Sequence, residues 1–502
     1  MEIAQGEARS LEVGLQELRE GARRAASSEV VTRRVVYAAA GLYAVVFSAA
    51  AAVHFFAFHS ARLDLGNMTQ AVWATAHGHF LRVTPTIGTP TTAEMSRLAA
   101  HVDPFLALFA PLWWIWSSPL MLLVVQAIAV ASGALPVYWL ARKHLGTQRA
   151  AAHFAFAYLL FPATQFNAFT YAAGMHSVSF AIPLILFAIW FLDEDRLVAF
   201  AAFALLAAST KEEIPVAVGC LGIWYAVRKG RQLVGLGIFA AGLAATLVNF
   251  LVVLPHFSFT GSNPFAGRYA QVGGTPGGML HKLATDPVAF VHAVATWHKL
   301  LFLVMLFVPW LGLWALEPVL LLGVVPDLVV NLLSADPNQT AIQYEYTSGI
   351  VPFLVAASIL GAARLKRDKN RVSFYALAGA ACIALFSPVY FGAAEVREAL
   401  PSNALHAAKA HALHLIPSGV PVAASNELAG YLSDRRFIYV FPYIRDARWV
   451  VLDENDRTMI DAAGYRRTIA EIDASPRWRL VYSSHGVQVL RRRVPAEGAG
   501  SA

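Results

Sequence analysis

One stretch near the start of the chain organises the rest, and it reads Ala61-Arg62-Leu63-Asp64-Leu65-Gly66-Asn67-Met68-Thr69-Gln70-Ala71-Val72-Trp73. It follows the first long apolar segment, Val35 to Phe58. Apolar residues recur within it at helical spacing, which predicts a short amphipathic helix that begins at or just after Asp64. A carboxylate held where the chain leaves a membrane can serve as a base or as a metal ligand. The alternative is that Asp64 only caps the helix, which stabilises it by about 1 kcal/mol.

Composition predicts a polytopic α-helical membrane protein. Of the 502 residues, 57% are hydrophobic and 14% are charged, whereas an ordinary soluble domain has about 25% charged residues. Several apolar runs approach or exceed the roughly 18 residues that suggest a membrane span. Cys220 and Cys382 lie inside apolar runs, so we expect small core residues and no disulfide or metal site. The net charge of +7 comes from basic clusters beside apolar runs, which argues for orientation signals and against a nucleic-acid partner.

The order of apolar and basic segments predicts about eleven transmembrane helices. Residues 1–34 form a basic segment that we expect in the cytoplasm, and residues 364–371 are the densest basic cluster and the firmest cytoplasmic marker. Pro104 to Trp116 holds three tryptophans and is expected to be an interfacial or re-entrant helix, because tryptophan favours the membrane interface. The transmembrane domain is expected to occupy residues 35–391, with large outer loops at 59–118 and 255–299.

A charged triplet, Lys211-Glu212-Glu213, interrupts the apolar run from Leu197 to Tyr225. Two half-length helices of about 13 residues would each span about 20 Å of a hydrocarbon core of about 30 Å. The triplet would then be recessed below the outer surface, and because a charge at that depth costs at least about 2.5 kcal/mol it should face a polar cavity or a partner. The other interpretation is a Lys211–Glu212 or Lys211–Glu213 ion pair that stabilises a helical hairpin.

The tail, residues 392–502, differs in composition from the rest of the chain. Its alternation of helical and β-type segments predicts a small extracytoplasmic α/β domain. No glycine-rich loop precedes a helix in it, so no nucleotide site is predicted. The predicted helices are Asn403–His414 and Asp456–Ile472, and the predicted strands are Val420–Ala423, Phe437–Phe441, Trp449–Leu452, Leu480–Ser483 and Val487–Leu490.

Ionisable residues collect in the connections that this topology places on the outer side. An apolar body with such a rim suits an enzyme that acts on a lipid-linked substrate, because a carboxylate base can activate an acceptor while cations or a divalent metal hold a leaving phosphate. The candidate base is Asp64. The candidate substrate-binding residues are His101, Asp103, His176, Lys211, Glu212, Glu213 and Arg268.

Each of these residues also has a structural interpretation. His101 and Asp103 could form a metal half-site, but an N-cap before Pro104 explains Asp103 equally well. His176 could be an ordinary interfacial histidine. The run Tyr344-Glu345-Tyr346 fits an interfacial aromatic belt.

These motifs resemble a bacterial and archaeal family of predicted membrane proteins that is grouped with the GT-C membrane glycosyltransferases. The resemblance extends from about Val35 to about Leu490. Beyond the Asp64 stretch and the Lys211-Glu212-Glu213 triplet, it rests on His101-Val102-Asp103-Pro104, Leu135-Pro136-Val137-Tyr138-Trp139-Leu140-Ala141-Arg142, Tyr158-Leu159-Leu160-Phe161-Pro162, Met175-His176 and Pro326-Asp327-Leu328-Val329-Val330-Asn331-Leu332-Leu333-Ser334.

The resemblance implies a GT-C-like fold with many spans, a long first outer loop, a polyprenyl-phosphate sugar donor and a soluble domain after the spans. GT-C enzymes carry an acidic catalytic base in that loop, and the matching residue is Asp64. Two departures stand out. Leu65 follows Asp64 where many GT-C enzymes have a second acidic residue, which weakens the case for a metal there. No histidine precedes tyrosine in Gln343-Tyr344-Glu345-Tyr346, so the resemblance assigns no role to that loop.

Three functions follow as hypotheses. The first is a glycosyltransferase that moves a sugar from a polyprenyl-phosphate donor to a lipid, glycan or protein acceptor, with Lys211 and Arg268 binding the phosphate. The second is a transporter or lipid flippase in which the charged triplet forms an intramembrane relay. The third is a non-catalytic scaffold. A cavity beside Asp64 that also reaches Lys211 would favour the first, and packed hydrocarbon between them would end it.

Overall fold

The computed structural model describes residues 2–85, 93–169, 174–259, 261, 265–385, 397–456, 458, 459 and 461–493, with side chains from residue 29 onward. Up to residue 385 the described part of the chain is mostly helical. Its helices there are α1 (Glu2–Phe56), α2 (Asn67–Ala76), α3 (Ala110–Ile115), α4 (Pro119–Ser132), α5 (Ala134–Leu145), α6 (Gln148–Leu160), α7 (Pro162–Ala168), α8 (Ala181–Asp193), α9 (Leu197–Ala208), α10 (Ile214–Lys229), α11 (Gln232–Val248), α12 (Leu254–Phe257), α13 (Pro276–Thr285), α14 (Pro287–Val294), α15 (Trp297–Phe307), α16 (Val325–Leu333), α17 (Val351–Arg364) and α18 (Lys369–Leu385).

Short turns of 3₁₀ or π geometry connect many of these helices. They lie at Arg62–Gly66, Arg97–Ala99, Pro104–Phe109, Ser177–Phe180, Asn249–Val253, Ala266–Val272, Val308–Trp310, Leu313–Leu316, Leu320–Gly323, Pro337–Thr340 and Glu345–Thr347. The expected break in the apolar run after Leu197 is confirmed, because α9 ends at Ala208 and α10 begins at Ile214. The charged triplet therefore occupies the turn between two helices.

Within the described residues, three helical segments are long and apolar enough to cross a membrane: Glu29–Phe56, Pro119–Leu145 and Gln232–Phe257. A fourth is added if the pair Pro287–Val294 and Trp297–Trp310, bent by 63°, forms one span. The apolar helix Pro104–Ile115 is too short to span, in keeping with an interfacial position. The figure of about eleven spans stays a prediction, and its last expected span ends among residues outside the described ranges.

Helices α10 and α11 illustrate how this body packs. Glycines on facing sides let the two backbones touch, and a Cβ at Gly222 would stand 2.2 Å from the carbonyl oxygen of Gly235. Small residues serve helix contacts in membranes because apolar surface alone gives no preference between a neighbouring helix and lipid. Cys220 is buried as predicted, but Cys382 is exposed. The prediction for Cys382 is wrong because α18 buries only the side formed by Ser373, Ala376 and Ala380.

The tail folds into a mixed five-stranded sheet, and its predicted strands are confirmed. The strands are β3 (Val422–Ala424), β4 (Ile438–Val440), β5 (Trp449–Asp453), β6 (Trp478–Ser484) and β7 (Val487–Arg492), while β1 (Arg82–Val83) and β2 (Met95–Ser96) pair in the first outer loop. The order is β4-β3-β5-β7-β6, with β4, β3 and β5 parallel and the other pairs antiparallel. The tail helices are α19 (Ala404–His414), α20 (Asn426–Ala429) and α21 (Ala462–Asp473).

Helix α21 begins later than its predicted start at Asp456. Asp461 caps it, since its carboxylate accepts a hydrogen bond of 2.8 Å from the backbone N–H of Gly464. Asp456 instead folds back on its own turn and accepts bonds of 2.7 Å from the backbone and hydroxyl of Thr458.

The tail packs directly on the first outer loop. Phe58 has a left-handed backbone (φ 61°) and is buried in the tail core, with its ring 4.9 Å from that of Tyr431. The Tyr431 hydroxyl donates to the last turns of α1 at 2.6 Å. The backbone N–H of Arg62 donates to Asn426 at 3.1 Å, and the Gln70 amide donates to the carbonyl of Arg435 at 2.8 Å. The segment that carries Asp64 is therefore held by the tail.

Candidate functional site

A cavity of about 460 Å³ lies between the first outer loop, the Lys211 turn and the second outer loop. Its size falls in the range of small-molecule sites. Asp64 and Lys211 both line it, and this is the arrangement that would favour the glycosyltransferase hypothesis over the other two. The predicted site residues in its wall are Asp64, His101, Asp103, His176, Lys211 and Arg268. Glu212 and Glu213 are not among the lining residues, but they pair with two that are, His101 and Lys211 respectively.

Asp64 lies in the π-helical turn Arg62–Gly66, which runs directly into α2. The N-cap position of α2 is Gly66, and no side chain caps that helix. The N-cap interpretation of Asp64 is therefore wrong, because the chain is already helical where a cap would need extended backbone. The carboxylate makes no hydrogen bond or ion pair with any residue that the structure describes, and it faces the cavity.

The electrostatic surroundings of Asp64 suit a base. Burial raises the pKa of its carboxyl, the charge of His176 opposes this, that of Glu345 adds to it and that of Arg97 opposes it, and the net shift is upward from the ordinary value. A carboxylate with a raised pKa holds an accepted proton better than an ordinary aspartate does. The close approach of Asp64 and His176 depends on Gly174, where a Cβ would stand 2.7 Å from Cβ of Asp64 and 3.0 Å from Nε2 of His176.

Glu345 and Tyr346 also line the cavity, so the interfacial-belt interpretation is wrong for these two residues. Glu345 Oε1 is 3.6 Å from Nδ1 of His176. The backbone N–H of His176 donates to the Gln126 side chain at 2.8 Å. Asp64, His176 and Glu345 thus follow one another along one wall, and the interfacial-histidine interpretation of His176 does not describe its position.

Asp103 binds a residue that the sequence did not single out. Its Oδ2 accepts hydrogen bonds from Arg97, at 3.2 Å from Nε and 3.0 Å from Nη2, and from the Ser177 hydroxyl at 3.1 Å. The side chain is only 1% exposed. Asp103 precedes Pro104 as an N-cap would, but it makes no capping bond. We therefore expect Asp103 to position Arg97, which lines the cavity, rather than to touch a substrate itself.

The residues of the charged triplet Lys211-Glu212-Glu213 point in different directions and have different partners. Lys211 Nζ is 2.6 Å from Oε1 of Glu213 and lies over the Tyr346 ring at 5.5 Å. One of the two predicted ion pairs, Lys211–Glu213, is therefore confirmed, and Lys211 faces the cavity as well. Glu212 turns the other way: Oε1 is 3.0 Å from Nδ1 of His101, and Oε2 accepts the backbone N–H of Val102 at 3.0 Å.

The second outer loop closes the cavity from the other side. The ring of Phe265 stacks on His101 at 4.8 Å and lies under the guanidinium of Arg268 at 4.7 Å. Arg268 Nη2 is 3.2 Å from Oδ2 of Asp336, and Nη1 donates to the Tyr346 hydroxyl at 3.4 Å. Arg268 therefore faces the same space as Lys211.

The donor set around the cavity does not resemble a protein metal site. In the described part of the chain, no three His, Cys, Asp or Glu side chains are close enough to hold a metal ion. The half-site considered for His101 and Asp103 does not form, because Glu212 binds the first and Arg97 binds the second.

Comparisons with known proteins agree with this architecture. Residues 54–489 match a family described as "Predicted membrane protein (DUF2079)". The chain belongs to this family. The structure of ArnT from Cupriavidus metallidurans bound to undecaprenyl phosphate is similar to this DUF2079 member, with a TM-score of 0.52, 12% identity and coverage of 89% of this chain and 97% of that chain. For the apo state of ArnT the values are 0.50, 14%, 90% and 98%.

At these identities the likeness shows the fold alone. The resemblance to GT-C membrane proteins is thereby confirmed for the fold of this DUF2079 member. No curated protein matches the chain.

Proposed function

We propose that this protein is a GT-C-type glycosyltransferase that moves a sugar from a polyprenyl-phosphate-linked donor to an acceptor at the outer face of the membrane. The observation that carries the proposal is the carboxylate of Asp64, which pairs with none of the described residues and lines a cavity that also holds Arg97, Lys211 and Arg268. The similarity to ArnT, one structure of which contains undecaprenyl phosphate, supports the lipid-phosphate part of the donor.

In the proposed reaction Asp64 removes a proton from an acceptor hydroxyl, whose oxygen attacks the anomeric carbon of the sugar. The bond from that carbon to the phosphate oxygen breaks, and the electron pair leaves with the polyprenyl phosphate. Asp64 then gives its proton to solvent. Charge thus moves from the base to the phosphate, and the catalytic task of the protein is to stabilise it there.

Lys211 and Arg268 can bind that phosphate although each already pairs with a carboxylate. A lysine has three N–H donors and an arginine has five. Lys211 uses its contact with Glu213, and Arg268 uses its contacts with Asp336 and Tyr346, which leaves donors on both for phosphate oxygens. In the absence of a donor, Glu213 and Asp336 partly neutralise the positive charges of Lys211 and Arg268. A bound phosphate competes with these carboxylates for the same cations, so we expect both ion pairs to loosen when the donor binds.

The two ends of the helical body differ in a way that supports the expected orientation. Lys143 binds Asp193 at 2.7 Å, and Thr147 binds Asn370, which lies beside the densest basic cluster. Asp64 and Lys211 belong to other connections between helices, and these connections meet at the cavity. By the positive-inside tendency the first group faces the cytoplasm, so we place the cavity and the tail on the outer side.

The test is transfer by membranes that contain the full chain, supplied with a panel of polyprenyl-phosphate sugars labelled in the sugar. Asp64→Asn keeps the shape of the side chain and should lower transfer by about 10²- to 10⁴-fold, the usual contribution of a general base. Asp368→Asn is the matched control, since Asp368 is an exposed carboxylate in the basic cluster, and it should keep full activity.

Full transfer by Asp64→Asn would overturn the assignment of the base. Movement of a lipid-linked sugar across proteoliposome membranes without covalent transfer would favour the transporter alternative. Failure of the wild-type chain to transfer any sugar of the panel would favour the scaffold.

A further inference from the structure

A second, smaller cavity lies where the first outer loop meets the tail. Its volume is about 20 Å³, which exceeds the roughly 10–15 Å³ that one water needs but is too small for a sugar ring. Two arginines line it, one from each side of the contact. The residues of its wall that matter here are Arg62, Asn67, Thr84, Tyr439, Tyr443 and Arg445.

Arg62 is a buried cation whose guanidinium is held by two neutral side chains. Its side chain is 3% exposed. Nη1 donates to Asn67 at 2.7 Å, Nη2 donates to Gln70 at 2.5 Å, and Nε is buried with no hydrogen-bond partner among the described residues. No carboxylate pairs with it in the part of the chain that the structure describes. Burial, and then the like charge of Arg97, lowers the pKa of Arg62 to about 9. An uncompensated buried charge is unfavourable, so this place attracts an anion.

Arg445 brings a second guanidinium to the same cavity from the turn after β4. Its backbone is left-handed, with φ at 48°, a costly conformation for a residue with a side chain. The turn is held by a hydrogen bond of 2.9 Å from the Tyr443 N–H to the Val440 carbonyl. Asp446 follows Arg445 in this turn, and its charge, after burial, contributes to the raised pKa of Tyr439.

We propose that Arg62 and Arg445 form an anion-binding site that takes the terminal oxygens of a phosphate or carboxylate group on the acceptor. A planar guanidinium matches either oxyanion through paired hydrogen bonds. Leu63 and Asn67 line both this cavity and the larger one, so a molecule anchored here extends past the turn that carries Asp64. The acceptor assignment rests on the proposed glycosyltransferase function, whereas the anion site itself does not.

The test uses the purified full chain in detergent, with inorganic phosphate and acetate as probes at constant ionic strength. A ligand that binds only the folded state raises the unfolding temperature, so the midpoint is followed against the concentration of each probe. We expect Arg445→Met to need about tenfold more anion than the wild type for the same stabilisation, as is typical when a charged partner is lost. Arg436→Met is the matched control, because Arg436 is exposed in the tail and binds Glu94.

One further variant separates binding at this site from binding in the large cavity. Arg268→Met removes a phosphate partner in the large cavity, so stabilisation that disappears only in this variant overturns the inference. Arg62 also holds Asn67 and Gln70, and therefore Arg445→Met, on a partly exposed side chain, carries the main comparison. Stabilisation by phosphate alone or by acetate alone identifies the oxyanion, and stabilisation by neither overturns the site.

The outcome separates this inference from the proposed function. Asp64→Asn should be inactive yet keep the anion response of the wild type, which supports the site independently of catalysis. An unchanged KM for the acceptor in active Arg445→Met would overturn the acceptor assignment.

Discussion

The buried pair of Arg97 and Asp103 gives the sharpest test of how the candidate site is built, through the variant Asp103→Asn. In the native protein both Arg97 contacts, at 3.0 and 3.2 Å, go to the same carboxylate oxygen, which also accepts from Ser177. The asparagine carbonyl can occupy that position. Its amide nitrogen then takes the place of the other oxygen, which is buried and accepts no hydrogen bond from the part of the chain that the structure describes.

The variant therefore leaves the hydrogen-bond geometry in place but removes the charge that neutralises Arg97. The two side chains are 6% and 1% exposed, so solvent cannot replace the lost partner. Breaking a buried ion pair from one side costs about 3–5 kcal/mol. Because the asparagine keeps some hydrogen bonding, we expect the loss to fall at the lower end, about 3 kcal/mol, or on the order of a hundredfold in the unfolding equilibrium.

The assay is the free energy of unfolding in mixed micelles titrated with a denaturing detergent. Asp64→Asn is the matched comparison, since the same substitution there removes a carboxylate that pairs with no residue in the described ranges. Asp64 has a raised pKa in the folded state, so its ionised form opposes folding, and we expect Asp64→Asn to be as stable as the wild type or more stable near neutral pH. A stability within about 0.5 kcal/mol of wild type for Asp103→Asn would refute the structural role of the pair.

Three further outcomes are expected. Because catalysis needs ionised Asp64 and its pKa is raised, the initial rate of transfer should rise with pH through a midpoint above the ordinary aspartate value of about 3.9, and a midpoint at or below it would contradict the assignment. Glu212→Gln should keep the backbone contact of Glu212 and weaken its contact with His101, lowering kcat/KM by about tenfold; an unchanged value would show that the His101 loop needs no such anchor. Gly430→Ala would put a Cβ 2.8 Å from a backbone oxygen of the first outer loop and should destabilise the protein by about 1–3 kcal/mol, with faster proteolysis of the tail than in Gly41→Ala, where the added Cβ meets open space.

Features that depend on neighbouring residues were predictable from the sequence. The strands of the tail follow from local β-type runs, and the break between α9 and α10 follows from a charged triplet inside an apolar run. Asp64 and Lys211 could be assigned to one face because the alternation of apolar and basic segments fixes which connections share a side. The number of spans is harder to predict from the sequence, because several apolar segments fold as short helices and 3₁₀ turns.

Apart from the Lys211–Glu213 pair, the partners within the site were not predicted, and several of them are distant in the chain. Glu212 and His101 are 111 residues apart, and Arg62 and Asn426 are 364 apart. The periodicity of apolar residues indicates local secondary structure and does not predict contacts between residues so far apart. Glu345 was obscured for a different reason, since the tyrosines on both sides of it are typical of a membrane interface. Arg97 lies only six residues from its partner Asp103, but the sequence predicted Asp103 as a substrate-binding residue, a metal ligand or an N-cap before Pro104, and none of these predicts a pair with Arg97.

The irregular backbone of this fold accounts for the location of the site. Non-helical backbone at membrane depth is tolerated only where protein buries it or where it lines a water-filled cavity. The π turn that contains Asp64, the 3₁₀ turn that follows His176, the Lys211 turn and the 3₁₀ turns that contain Arg268 and Glu345 all border one cavity. The polar backbone groups at helix ends are costly to bury away from water. Here these helix ends border the same cavity, where their backbone groups and charged side chains can be hydrated. A ligand phosphate that enters this space meets groups that the fold already has to keep polar, so binding it requires little additional burial of charge.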